Sequence, residues 1–131
     1  MQDKLTDSVT PQSWRLCKRV LPQHTDHAGV MWHGAYVSWL EEARVEALAA
    51  AGLSYSAMAA IGVEMPVVSL NLEYRRSIRH GDQIVLESHC GSQSGVRWPW
   101  RSCFLLDGRV MAEARVELVL SLIHISEPTR R

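Results

Sequence analysis

The stretch PQHTDHAGVMWHG, residues 22–34, places one aspartate, three histidines, a tryptophan and two glycines within thirteen residues. A carboxylate such as Asp26 can attack a carbonyl as a nucleophile or take a proton from water. Seven residues later, His33 and Gly34 stand where a helical pattern begins. The first N–H groups of a helix have no partner within it and sit at the positive end of its dipole. They can therefore hold an oxygen that becomes negative. A carboxylate close to such donors is equipment for attack on a polarised carbonyl carbon. Gly29 gives the loop a point free to adopt left-handed backbone, which lets the aspartate fold back toward the helix start. Asp26 could equally cap a turn, as aspartate often does. Imidazoles and carboxylates also bind zinc, but His24, Asp26, His27 and His33 match no ligand spacing, so no metal is expected.

The surrounding pattern supplies the elements that must position this loop. Residues 1–13 read as a polar, flexible leader, and WRLCKRVL from Trp14 to Leu21 as a first strand. Ala35 to Ala51 reads as a helix, with Tyr36, Leu40, Ala43, Ala47 and Ala50 forming an apolar stripe at spacings of three and four. Gly52 stops it. Ser54 to Ile61 reads as a short second helix, with Ser54 or Ser56 able to cap it. From Glu64 the period becomes two. Val68, Leu70, Leu72 and Tyr74 share one face of the second strand, and Ile84 to Cys90 forms the third. Val96 to Leu106 and Val110 to Leu120 form the last two, joined by the hairpin dipeptide Asp107-Gly108. Strands with such short links are expected to pair antiparallel with their sequence neighbours. The class is α+β, with one helix covering one face of a five-stranded sheet. Pro99, inside a strand, calls for a bulge or an edge position.

Composition narrows the function. At 131 residues the chain fits one domain, and fourteen basic against fourteen acidic residues leave no net field for nucleic acid or an anionic membrane. Neither a secretory signal nor a run long enough to span a bilayer is visible. Cys17, Cys90 and Cys103 form no CxxC pair and read as small apolar strand residues, which fits a reducing cytoplasm. Trp32 and Tyr36 could line a pocket beside the loop, although Tyr36 lies on the packing stripe. Arg75, Arg76, Arg79 and His80 form a basic cluster that could pair with phosphate, or be a solvated turn. Glu64 is a weaker candidate for a second carboxylate.

The segment HTDHAGVMWHGAYVSWLEEARVEAL, residues 24–48, resembles the signature of the 4-hydroxybenzoyl-CoA thioesterase-like enzymes, on Asp26, Gly29, Trp32, His33, Tyr36 and the Glu-Glu-Ala-Arg stretch 41–44. LNLEYRRSIRHGDQIVLES, residues 70–88, is similar to that family's second and third strands. The resemblance covers residues 14–121. It implies a hotdog fold, a five-stranded antiparallel sheet wrapped around one long central helix, assembled as a homodimer or homotetramer with sites at the dimer interface. It implies hydrolysis of acyl-CoA or acyl-carrier-protein thioesters, with Asp26 and His33 catalytic and the backbone N–H at the His33 position polarising the carbonyl. Trp32, Gly34, Tyr36, Arg75, Arg76 and Arg79 would then meet the substrate. No cofactor is expected, since CoA belongs to the substrate. Residues 122–131 do not look like the family's ending and read as translated adapter sequence. The rival readings are a hydratase or dehydratase acting on acyl thioesters and a non-catalytic acyl-thioester-binding module.

Overall fold

A computed structural model describes residues 13–122 of the protein. Strand β1 (Ser13–Arg19) leads through a 3-10 turn at Pro22–His24 into the long helix α1 (His33–Ala50) and the short helix α2 (Tyr55–Ala60). Strands β2 (Val63–Glu64), β3 (Val67–Tyr74), β4 (Gln83–Cys90), β5 (Arg97–Leu106), β6 (Arg109–Val119) and β7 (Ser121–Leu122) follow. Local chemistry sets the helix ends. The N–H of Ala57 donates to Ser54 Oγ at 3.1 Å, capping α2. Gly52, at φ +85°, provides the left-handed exit from α1.

The main sheet is antiparallel, in the order β1-β4-β5-β6-β3. Strands β4, β5 and β6 pair as sequence neighbours, but β3 and β4 do not, contrary to the expectation from their short link. The link 75–82 crosses the end of the sheet instead. The N–H groups of Arg75 and Arg76 donate to the Met111 carbonyl on β6, and that of Gly81 reaches Val20 just beyond β1. Ile78, fully buried, anchors the crossing. Pro99 also differs from expectation: β5 is interior, and its pairing with β6 runs regularly through Pro99↔Glu117. The proline is tolerated because β4 ends at Cys90, so no strand residue beyond needs its missing N–H. Its carbonyl still accepts from Gly91 at 2.8 Å.

Across the inner face, Leu16, Leu86, Phe104 and Ala112 stand in register, beside a row of Ser88, Ser102 and Ala114. The small side chains of that second row leave room for α1. The buried hydroxyls of Ser88 and Ser102 satisfy one another at 2.8 Å. Tyr36 of α1 meets Phe104 edge-on, with ring centroids 5.0 Å apart. Trp39, absent from the stripe read off the spacing, is the largest fully buried side chain, whereas Ala50 is exposed. The apolar sector of a helix is wide enough to take in Trp39 beside Tyr36 and Ala43. Helix α1 packs on β1 and β4. Edge strand β3 therefore keeps Val68, Leu70 and Tyr74 exposed, although Leu70, Leu72 and Tyr74 share the inner face with Val116, Ala114 and Ala112.

Strand β7 pairs with β2 through Val63↔Leu122 and Glu64↔Ser121, so Leu122, expected to begin an atypical tail, has a backbone partner. The rest of that tail, residues 123–131, and residues 1–12 of the expected leader lie outside the described residues. No described helix is long and apolar enough to cross a membrane.

Candidate active site

Residues 25–31 fold as a miniature hairpin. Thr25 bridges Met31, the N–H of Asp26 donates to Val30 O at 2.9 Å, and that of Gly29 to Asp26 O at 3.0 Å. Gly29 sits at φ +82°, as the tight reversal requires. Asp26 Oδ1 accepts the N–H of Ala28 at 2.9 Å and of Val30 at 3.1 Å. The turn-capping role is thus real, and it occupies one oxygen. Oδ2 makes no hydrogen bond among the described residues. The Val30 amide, with smaller help from the Ala28 amide and neighbouring His27, holds the exposed carboxyl below its ordinary range. Asp26 is therefore a carboxylate at neutral pH.

The return arm of this hairpin runs directly into α1. Trp32 is its N-cap residue, and no side chain caps the helix, so the N–H groups of His33 and Gly34 are left for water or a ligand. Because Asp26 pairs with Val30, three residues ahead of His33, the carboxylate belongs to the same hydrogen-bonded hairpin that leads into the helix start. The Trp32 ring, 47% exposed, folds back over the first turn, and a Cβ on Gly34 would overlap its outer edge. Trp32 also stands edge-on to the exposed His33 ring, with centroids 5.3 Å apart. Tyr36, one turn on, is buried between Phe104 and Tyr74; burial first, and Tyr74 second, push its hydroxyl up to about 12. Tyr36 is thus a packing residue whose ring supports the exposed Tyr74.

The basic cluster divides. Arg79 bridges Val30 of the Asp26 hairpin, the N–H of Met31 donates to Ile78 O at 2.8 Å, and that of His80 to Gly29 O at 3.0 Å. Arg75 turns instead to the outer sheet face, where Nε meets Glu113 at 3.1 Å. Arg76 is exposed. The segment 78–80 is the part of the site that sequence reasoning missed as a structural support. Its signal was Ile78, a lone apolar residue in an otherwise polar link.

The other loop side chains do separate things. His24 Nδ1 accepts the N–H of Leu21 at 3.0 Å and its ring packs edge-on to Trp39. Burial, followed by nearby Lys18, lowers its affinity for a proton. His27 is exposed beside Asp26. Among the described residues, no three His, Cys, Asp or Glu side chains converge to hold a metal. Glu64 lines a cavity of about 380 Å³ with Tyr55, Met58 and Met65, and no residue of the Asp26 loop borders it.

Residues 20–126 match the family model of the thioesterase-like superfamily. A Synechocystis protein named as an esterase is 41% identical over 96 residues, covering 73% of this chain and 58% of its own length. Acyl-CoA thioester hydrolase YbgC of Escherichia coli is 32% identical over 77 residues, covering 59% of this chain and 58% of its own. The chain thus spans less than two thirds of either relative. Among solved structures, the DHNA-CoA thioesterase of Staphylococcus aureus superposes with a TM-score of 0.78 at 25% identity, over 86% of this chain and 76% of that one. The Thermus thermophilus protein TT1821 does so with a TM-score of 0.77 at 29% identity, over 85% and 88%.

Proposed function

This chain belongs to the thioesterase-like superfamily and has its hotdog fold, and from that premise we propose that it hydrolyses acyl thioesters of coenzyme A. The observation that carries the reading is a carboxylate fixed by two backbone amides in the turn that opens onto an uncapped helix N-terminus. The thioester oxygen accepts from the N–H at His33 or Gly34, which makes its carbon electrophilic. Asp26 acts through Oδ2 as general base on a water molecule, or as the nucleophile itself. In the first case water oxygen bonds to the carbonyl carbon and its proton passes to Asp26. The tetrahedral species then collapses, the C–S bond breaks, and the thiolate takes up the proton. In the second case Oδ2 bonds to the carbonyl carbon, the C–S bond breaks and CoA leaves as the thiolate. Water then hydrolyses the acyl–aspartate anhydride, freeing the acid and Asp26 and supplying the proton that the thiolate takes up. Label appearing in Asp26 after turnover in ¹⁸O-water identifies the second route, with water attacking the aspartyl carbon of the anhydride. Neither route needs a cofactor beyond the CoA that the substrate carries.

The resemblance to acyl-CoA thioester hydrolase YbgC supports CoA as the carrier, with acyl-carrier protein as the variant of the same chemistry. Arg79, held against the Asp26 hairpin, is the cluster member best placed to meet a CoA phosphate; Arg75 is engaged with Glu113. His33 contributes chiefly its backbone, and Trp32 a wall beside the carbonyl. The exposed apolar side chains of edge strand β3 support a homodimer that buries them, as the dimer or the core of a tetramer. Free cysteines, with Cys17 exposed and Cys90 and Cys103 partly buried, fit a cytoplasmic location. The test is free-thiol release from short-chain, long-chain and aromatic acyl-CoAs by the purified chain. CoA release dependent on Asp26 supports hydrolysis. Addition or loss of water without thiol release, or binding without turnover, would replace the proposal with one of its rivals.

A further inference from the structure

The outer face of the sheet, turned away from α1, carries its charges in rows. The four-strand row His89–Arg101–Arg115–Asn71 crosses β4, β5, β6 and β3, with Arg101 and Arg115 directly opposite one another. Like charges so placed destabilise a strand pair unless something of opposite charge lies between them. The acids of this face are committed elsewhere. Glu87 pairs with Arg15 at 2.9 Å, Glu113 with Arg75 at 3.1 Å and Glu117 with Arg97 at 2.6 Å, while Glu73 lies 4.0 Å from Arg75. Among the described residues, neither Arg101 nor Arg115 has an ion-pair partner, and both are exposed. They border two grooves at once, one of about 640 Å³ that Ser69, Asn71 and the arginine-paired Glu73, Glu113 and Glu117 also line, and one of about 450 Å³ that includes His89 and Glu117.

The geometry points to a second binding site, for a small phosphoryl-bearing anion, centred on Arg101 and Arg115. Each guanidinium offers a planar fork of donors, and two forks side by side call for more oxygens and more charge than one carboxylate holds. A phosphoryl group has both, and Ser69 and Asn71 add neutral donors on one side. The side chains of β5 and β6 alternate between faces, so this site is on the opposite face of the sheet from α1 and its uncapped start. It does not depend on the thioesterase reading. Two sources share the chemistry: free inorganic phosphates, and the phosphates of a nucleotide such as the one at the end of CoA.

Thermal unfolding of the full chain with inorganic pyrophosphate and, separately, with adenosine 3′,5′-bisphosphate tests the site. A ligand at about ten times its Kd should raise Tm by roughly 3–6 °C, less at high salt. Arg101→Gln and Arg115→Gln should each unfold no earlier than wild type without ligand, since each removes a repulsion, and should lose most of the rise. A larger rise with the bisphosphate identifies a nucleotide source, and a larger rise with pyrophosphate a free anion; either supports the site. No rise with either probe, or an equal rise in both variants, overturns it. So does a variant that unfolds earlier and has a smaller assembly mass without ligand, because the arginines would then be contacts between copies of the chain.

Discussion

Replacing Asp26 with asparagine isolates the charge from the scaffold. In the native loop Oδ1 accepts two amides, at 2.9 and 3.1 Å, while Oδ2 makes no hydrogen bond among the described residues. An asparagine keeps an oxygen where Oδ1 stands, so the Ala28 and Val30 amides keep their acceptor and the hairpin its shape. The nitrogen takes the place of Oδ2, which removes both the negative charge and the free lone pair. The helix-start donors are untouched. The loss is then that of a general base or nucleophile alone, a fall in kcat of about 10²–10⁴-fold with KM nearly constant. Asp26→Ala, which also strips the amides of their acceptor, should lose as much kcat and raise KM, because the turn that leads into α1 loosens. Thiol release under saturating acyl-CoA reads kcat, and circular dichroism checks the fold. A folded Asp26→Asn chain within about threefold of wild type would refute the assignment, since no residual route through the helix-start donors accounts for so small a loss.

The native carboxyl is held below its unfolded value, so the carboxylate persists as acid is added and is lost only as the pH falls through the folded value. kcat/KM should thus be flat on its acid side from about pH 8 to about pH 5, and a limb near pH 6–7 would assign control to a histidine instead. Gly34→Ala gains up to about 1 kcal/mol of helix propensity but pushes the Trp32 ring off the first turn. Tm should hold within a few degrees while kcat/KM drops about tenfold, and unchanged kinetics would show that the ring plays no part. Leu70→Lys on the β3 edge should give a monomer by light scattering with little residual activity; a monomeric wild type with full activity would remove the case for a shared site.

The sequence was most legible where one local pattern decides the outcome. The Asp107-Gly108 turn, with both residues left-handed at φ +52° and +78°, joins β5 and β6 as read, and Ser54 caps α2. Asp26, Gly29 and the start of α1 lie together because five residues of hairpin are a local matter. Positions set by distant contacts were not legible. Nothing in the link 75–82 says that β3 must cross to the far edge, since its hydrogen bonds go to Met111 and Val20, both distant in sequence. The same crossing separates Arg75 from Arg79, which a linear reading grouped as one cluster. Trp39 was overlooked because a stripe counted at three and four can start on either of two neighbouring positions. Only the sheet, packed on one side, decides between them.

The site's openness follows from the same crossing. With β3 on the edge, where only the start of α1 meets it, Leu70 and Tyr74 remain largely uncovered on the inner face. Tyr74 stands edge-on to Tyr36 in the first turn of α1, so the uncovered edge and the helix start adjoin. In a single chain Asp26 is wet and Trp32 nearly half exposed, where a thioester oxyanion gains little from two amides because water competes for it. Excluding that water requires apolar surface over the helix start, and the exposed apolar side chains of β3 adjoin it through Tyr74. In the proposed dimer, a second copy laid along β3 would remove the unpaired strand edge and cover the helix start in one step. On that proposal the strand placement that leaves β3 uncovered is also the means of closing the site, and the Leu70→Lys chain should lose assembly and turnover together.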